Sequence, residues 1–212
     1  GIGKTRLAME VAATVGGSFV DGAWFVDLAP VADDDDVAGA IAAAMRATGA
    51  AAGEDALLDY LEERQLLLVL DNCEHVIEGV AAVLERLLAG APEVRTVATS
   101  RELIDVQGEV VRWVSPLAVP EGGRVADVVA APAVQLFVER ARAVRPDFAV
   151  EPATAADVAE ICRRLDWVPL ALELAAARVV SMTPDEIQRR LDERFRLLAG
   201  GRRRQDRHRT LQ

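Results

Sequence analysis

Lysine is almost missing from this chain: of 24 basic residues in 212, Lys4 alone is lysine and every other is arginine. An ammonium is a compact point charge with three rotatable donors, whereas a guanidinium is a planar fork too broad for a tight phosphate cradle. A strong arginine bias that spares one position marks Lys4 as a residue that has to be lysine. Cysteine is scarce as well. Cys73 and Cys162 are too few for a disulfide framework or a thiolate metal site, and a reducing cytosol is the natural setting. No apolar run approaches the roughly 20 residues that cross a bilayer, so no membrane span is expected. Excess positive charge is lacking too. A formal charge of −10 argues against broad adsorption to DNA or anionic lipid, which places any nucleic-acid contact outside this segment. The first residue is Gly, without the charged and apolar regions of a signal peptide, and the expectation is a fragment whose upstream sequence is missing.

What is present is apolar residue in quantity, 51% of the chain, enough to bury a core in one large domain or two smaller ones. From Lys4 to Thr14 apolar residues recur at helical spacing until Gly16-Gly17 stops them. Ala23 to Leu28 reads as a buried strand, Val37 to Met45 as an Ala-rich helix behind an Asp run, and Ala56 to Leu61 as another helix. Leu66 to Leu70 is a continuous apolar run ending at Asp71, the pattern of a parallel strand covered on both faces. Val76 to Leu88 is helical again, and Val94 to Thr99 and Val110 to Val114 read as two more strands. Strand and helix in alternation imply a doubly wound parallel sheet. After residues 117–123 only helical patterns follow, at Val134 to Val144, Ala155 to Leu165, Pro169 to Val180 and Pro184 to Leu198. The expected organisation is an α/β domain over 1–118, a small helical domain over 119–199, and a linker over 200–212 whose arginines read as a connection rather than a nucleic-acid patch.

Gly1-Ile2-Gly3-Lys4-Thr5 matches the last five positions of the phosphate-binding loop G-x-x-x-x-G-K-[ST], and a helix begins where that loop delivers a phosphate. Glycines let backbone N–H groups approach phosphate oxygens, and the helix N-terminus adds partial positive charge. Lys4 reaches the β and γ phosphates, and the Thr5 hydroxyl ligates Mg²⁺. With glycine near 7% of average usage, G-x-G-K-T arises by chance in about one such chain in a few hundred. The first Gly of the loop and the strand feeding it would precede Gly1. Their absence is expected to leave an unfilled slot in the sheet and to weaken the stability and nucleotide affinity of residues 1–212 alone.

A carboxylate at the C-terminal mouth of a parallel strand can hold Mg²⁺ opposite that loop, which assigns Asp71 to the metal. The next residue, Asn72, cannot accept a proton from an attacking water, so hydrolysis is expected to be slow, with Glu74 as a substitute base. Cys73 and His75 read as packing or surface residues. Ala98-Thr99-Ser100-Arg101 ends a strand at the ligand crevice, where a hydroxyl or guanidinium can touch the γ-phosphate and tell ATP from ADP.

With these elements in order the chain resembles the STAND class of P-loop ATPases, relatives of NB-ARC proteins, and within it the branch of large LuxR-type and SARP-type bacterial transcription factors. The resemblance is carried by Gly1 to Ala8 (with Arg6), Leu67 to His75, Thr99-Ser100-Arg101 and Leu165 to Leu172. The last is similar to the family's G-x-P motif, with Asp166 or Trp167 where Gly is common and Pro169 as the proline that packs near adenine. Ala133 to Ala141 and Arg194 to Leu198 also look like this branch, and Arg207 to Leu211 like the start of a winged-helix domain. The resemblance implies a helical lid, ATP/ADP and Mg²⁺ as ligands, an ADP-held resting state, and assembly on ATP exchange. It also implies DNA contact through a domain outside the chain and a cytoplasmic location. Two other readings remain open on the sequence alone: a turnover enzyme such as a kinase or housekeeping ATPase, and a scaffold that binds no nucleotide.

Overall fold

The apolar run from Leu66 becomes the middle of a sheet. In a computed structural model that describes residues 2–45, 54–117 and 125–193, strand β2 (Leu67–Asp71) is buried at every position. It pairs in parallel with β1 (Ala23–Asp27) on one side and β3 (Arg95–Ala98) on the other. Parallel strands need long crossovers, and helices supply them: α1 (Lys4–Val15) precedes β1, α2 (Val37–Ala44) and α3 (Glu54–Glu62) join β1 to β2, and α4 (Ile77–Gly90) joins β2 to β3. Side chains alternate across a strand, so the two faces of β2 meet different helices. Leu68 and Leu70 enter a core with Ile41, Leu57, Leu61, Val80 and Leu87 from α2, α3 and α4, whereas Leu67 and Val69 pack with Ala8 of α1.

Gly79 lets α4 approach the acidic turn that precedes α2. A Cβ there would lie 2.3 Å from the carbonyl oxygen of Asp34, and the Gly79 N–H donates to Asp34 Oδ1 at 2.8 Å. One member of the Asp run, expected to favour the start of α2, therefore satisfies an open N–H in the first turn of α4.

The strand expected at Val110 to Val114 does not form. Residues 109–117 make no ladder, and Val110 and Trp113 are 71% and 83% exposed. Apolar alternation makes a strand only where neighbouring backbone is available to pair, and among the described residues β3 is bonded to β2 alone.

The molecule divides into two compact units, Lys4–Trp113 and a second that joins Gly1–Gly3 to Val114–Gln212. The described part of the second unit is helical: α5 (Val125–Ala130), α6 (Pro132–Val144), α7 (Ala155–Arg164), α8 (Pro169–Ala176) and a stretch at 184–193. Its core gathers Val134, Phe137, Ile161, Cys162, Leu172 and Ala176, with Phe137 and Phe148 edge to face at 6.1 Å. Pro132 and Pro169 each stand at a helix start, where a missing N–H costs nothing. Between α7 and α8 the chain turns through two left-handed residues, Asp166 (φ 50) and Trp167 (φ 56). The N–H of Trp167 donates to Cys162 O and that of Asp166 to Arg163 O, both at 3.2 Å, the pair of bonds that closes a helix in a Schellman motif. This is the site where the resemblance places a Gly, and here the left-handed conformation is carried by Asp and Trp.

Candidate functional site

Parallel strands bring their C-terminal ends to one rim, and Lys4, Thr5, Asp27, Asp71, Asn72 and Thr99 meet there. The register pairs Asp27 with Asp71 as the last residues of β1 and β2. Beyond β3 the pairing continues for one more step: Thr99 N–H donates to Leu70 O at 2.9 Å, and Cys73 N–H to Thr99 O at 3.0 Å.

Asp71 is the centre of this rim and is 2% exposed. A carboxylate so buried requires donors, and three side chains supply them. Thr99 Oγ1 donates to Oδ1 at 2.5 Å, Thr5 Oγ1 lies 2.8 and 2.9 Å from the two oxygens, and Asn72 Nδ2 donates to Oδ2 at 3.1 Å. Thr5 comes from the first turn of α1, 66 residues away in sequence. Beside it Lys4 Nζ donates to the carbonyl of Ser100. Lys4, Thr5, Asp71 and the strand-end residues Thr99 and Ser100, singled out separately in the sequence, thus share one rim, and hydroxyl plus carboxylate is the hard-oxygen donor set that suits Mg²⁺.

Asn72 adopts a left-handed backbone, φ 62, which Asn tolerates better than most residues. Its N–H donates to Thr99 Oγ1 at 3.2 Å, and its Nδ2 also reaches Asp27 Oδ1 at 3.0 Å, so one amide bridges two carboxylates. The Ala29 N–H first, then the Asn72 amide, hold the Asp27 carboxyl below its ordinary range. Asp27 is a rim residue that the motifs do not single out, although the signal is there: it ends an apolar strand, as Asp71 does.

Within residues 98–101, where a hydroxyl or guanidinium is expected to meet a γ-phosphate, Thr99 turns its hydroxyl into the buried Asp71 cluster. Glu74 and Arg101 pair with each other, Nε to Oε1 at 3.0 Å. Cys73 is buried, its thiol pushed up to about 12 chiefly by burial, with the Asp71 and Glu74 charges adding. His75 has Nε2 at 2.9 and 3.0 Å from the carbonyls of Leu28 and Val31; carbonyls only accept, so that nitrogen carries the proton and ties the loop after β1 to the turn after β2.

Gly3 adopts φ +95 and groups with the second unit, where a Cβ on it would lie 3.9 Å from Pro169 Cγ. Ile2 is half-buried and Arg6 lies on α1. Gly1, and the stretches Arg194 to Leu198 and 200–212, lie outside the described residues. Among the described residues no helix is long and apolar enough to cross a membrane.

No family model matches the chain. It is 44% identical over 206 residues to a Mycobacterium tuberculosis protein provisionally named an HTH-type transcriptional regulator, covering 95% of this chain and 22% of that protein. It is 42% identical over 202 residues to an uncharacterized protein of the same organism, covering 94% of this chain and 49% of the relative. A more distant relative, the regulatory protein AfsR of Streptomyces griseus, is 31% identical over 197 residues, covering 85% of this chain and 18% of its own length. The chain thus spans between about a fifth and a half of the curated relatives it matches.

Proposed function

We propose that this chain is the ATP/ADP-binding switch of a transcriptional regulator of the STAND kind. The observation that carries the reading is the meeting of Thr5 and Asp71, 66 residues apart and 2.8 Å from each other, beside the one lysine of the chain. On this reading the backbone of Gly1 to Thr5 and the Lys4 ammonium, with Arg6 alongside, take the phosphates. Thr5 and Asp71 hold Mg²⁺, which neutralises phosphate charge when bound, Arg101 meets the γ-phosphate, and Pro169 borders the base. Asn72 donates to both neighbouring carboxylates and has no basic atom for an attacking water, which favours slow hydrolysis and hence a timer over a turnover enzyme. The names of the relatives support the regulatory role. DNA contact then belongs to a further domain of the whole protein, residues 119–199 act as a helical lid, residues 200–212 lead into a winged helix, and ATP exchange permits self-association in the cytoplasm.

Calorimetric titration with Mg²⁺-ATP and Mg²⁺-ADP tests the reading. Binding of both nucleotides is expected, with Lys4→Ala weakening both roughly tenfold or more. Undiminished binding by Lys4→Ala refutes the site. Rapid multiple turnover with a phosphoryl acceptor points to an enzyme instead.

A further inference from the structure

Glu74 and Arg101 stand at the same rim as Lys4, Thr5 and Asp71, and the sheet explains why they meet. Leu70 and Ala98 are paired in register, and the chain leaves β2 and β3 side by side, so the turn after Asp71 and the loop after Ala98 are neighbours. The two partners differ in freedom. Glu74 sits inside the tight turn Cys73–His75, anchored by the buried Cys73, by the left-handed Asn72 before it and by the Val76 N–H donating to Cys73 O at 3.2 Å. Its side chain is 24% exposed, whereas that of Arg101 is 79% exposed. A carboxylate carried on an anchored turn therefore holds a long, solvated cationic arm.

We infer that Glu74 is a specificity-determining residue which competes with the terminal phosphate of a nucleoside triphosphate for Arg101. The inference rests on the nucleotide-binding reading above. An exposed carboxylate–guanidinium pair is weakly bound, while a phosphate offers a guanidinium more charge and two-point hydrogen bonding. A diphosphate leaves the Glu74–Arg101 pair intact. A triphosphate brings the additional group for which Arg101 leaves Glu74, and breaking the pair subtracts from its affinity. Glu74 thereby biases the rim toward the diphosphate by acting through Arg101, with no contact of its own to the nucleotide. This differs from the role of a general base, which would require Glu74 to face an attacking water.

The test is a set of affinities for Mg²⁺-ADP and for a Mg²⁺-bound triphosphate with a non-hydrolysable β,γ bridge, measured on the same protein as the titrations above. The proteins compared are the natural sequence, Glu74→Gln, Arg101→Ala and the double variant. Glu74→Gln is expected to tighten triphosphate binding roughly two- to fivefold while leaving the diphosphate within about twofold. Arg101→Ala is expected to weaken the triphosphate alone, and the double variant to match Arg101→Ala, because Glu74 acts only through that arm. An unchanged triphosphate-to-diphosphate ratio in Glu74→Gln overturns the inference while leaving nucleotide binding standing. So does an effect of Glu74→Gln that persists without Arg101, or a loss of single-turnover ATP hydrolysis with no change in the ratio. Failure of the natural sequence to bind either nucleotide refutes the site reading itself, and the inference with it.

Discussion

Replacing Thr99 by Val removes one oxygen and almost no volume, and the structure sets what that oxygen is worth. Thr99 is 6% exposed; its hydroxyl donates to Asp71 Oδ1 at 2.5 Å and accepts from the Asn72 N–H at 3.2 Å. A hydrogen bond to a buried charged group contributes about 1.5–3 kcal/mol, and an N–H left without its acceptor adds about 1 kcal/mol. The Thr5 and Asn72 donors remain on Asp71 and limit the damage, so Thr99→Val is expected to cost about 2–4 kcal/mol in total. Thr99→Ser keeps the hydroxyl and loses one methyl, about 0.8 kcal/mol. Hydrogen exchange at the β2 and β3 amides reads the local loss directly, and urea unfolding reads the global one. A loss below about 0.5 kcal/mol for Thr99→Val, or equal losses for Val and Ser, would show that Asp71 is held by something other than its hydroxyl donors.

Gly79→Ala is expected to destabilise the first unit by about 1–3 kcal/mol, since its Cβ would lie 2.3 Å from backbone oxygen that cannot swing aside; urea unfolding reads the shift. Asp166→Gly is expected to stabilise the second unit by up to about 1 kcal/mol, seen as a raised melting temperature, because an exposed residue at φ 50 loses a Cβ conflict that outweighs the added chain entropy. Glu160 is held at about 2, against an ordinary 4.5, first by the Arg163 guanidinium and then by Arg164, with burial opposing. Because the folded value is the lower, its contribution is complete above pH 4.5 and is lost as the pH falls toward 2; Glu160→Gln should flatten stability across that window by about 1 kcal/mol.

The parts of the fold legible in the sequence are those where one local pattern decides. Five consecutive apolar residues ending in Asp admit little besides a covered parallel strand, and β2 spans Leu67–Asp71. The helical periods around Val83, Phe137 and Ile161 likewise became α4, α6 and α7. Val110 to Val114 shows the limit, since its residue types suit a strand while a ladder depends on where other backbone lies. The site follows the same division. Lys4, Thr5 and Asp71 could be singled out because their residue types and spacing carry chemistry by themselves. That Thr99 faces Asp71, that Glu74 meets Arg101, and that Asp27 joins the rim are consequences of strand register, which no single segment encodes.

Asn72 shows how a residue can be read for what it lacks while its structural contribution goes unseen. The sequence marks it as the absence of a base. In the folded chain it has two structural tasks that few other side chains could combine. The left-handed turn at φ 62 excludes most side chains but tolerates Asn, Asp and Gly. Of these, Gly offers no side-chain donor, and Asp would set a third carboxylate beside Asp27 and Asp71 where Asn now donates to both, at 3.0 and 3.1 Å. Like charges at that separation repel one another, and neither neighbouring carboxylate would keep the donor that Asn72 now gives it. An acid at position 72 would therefore exchange two hydrogen bonds for repulsion: the same amide that offers no base bridges the two neighbouring carboxylates by donating to both.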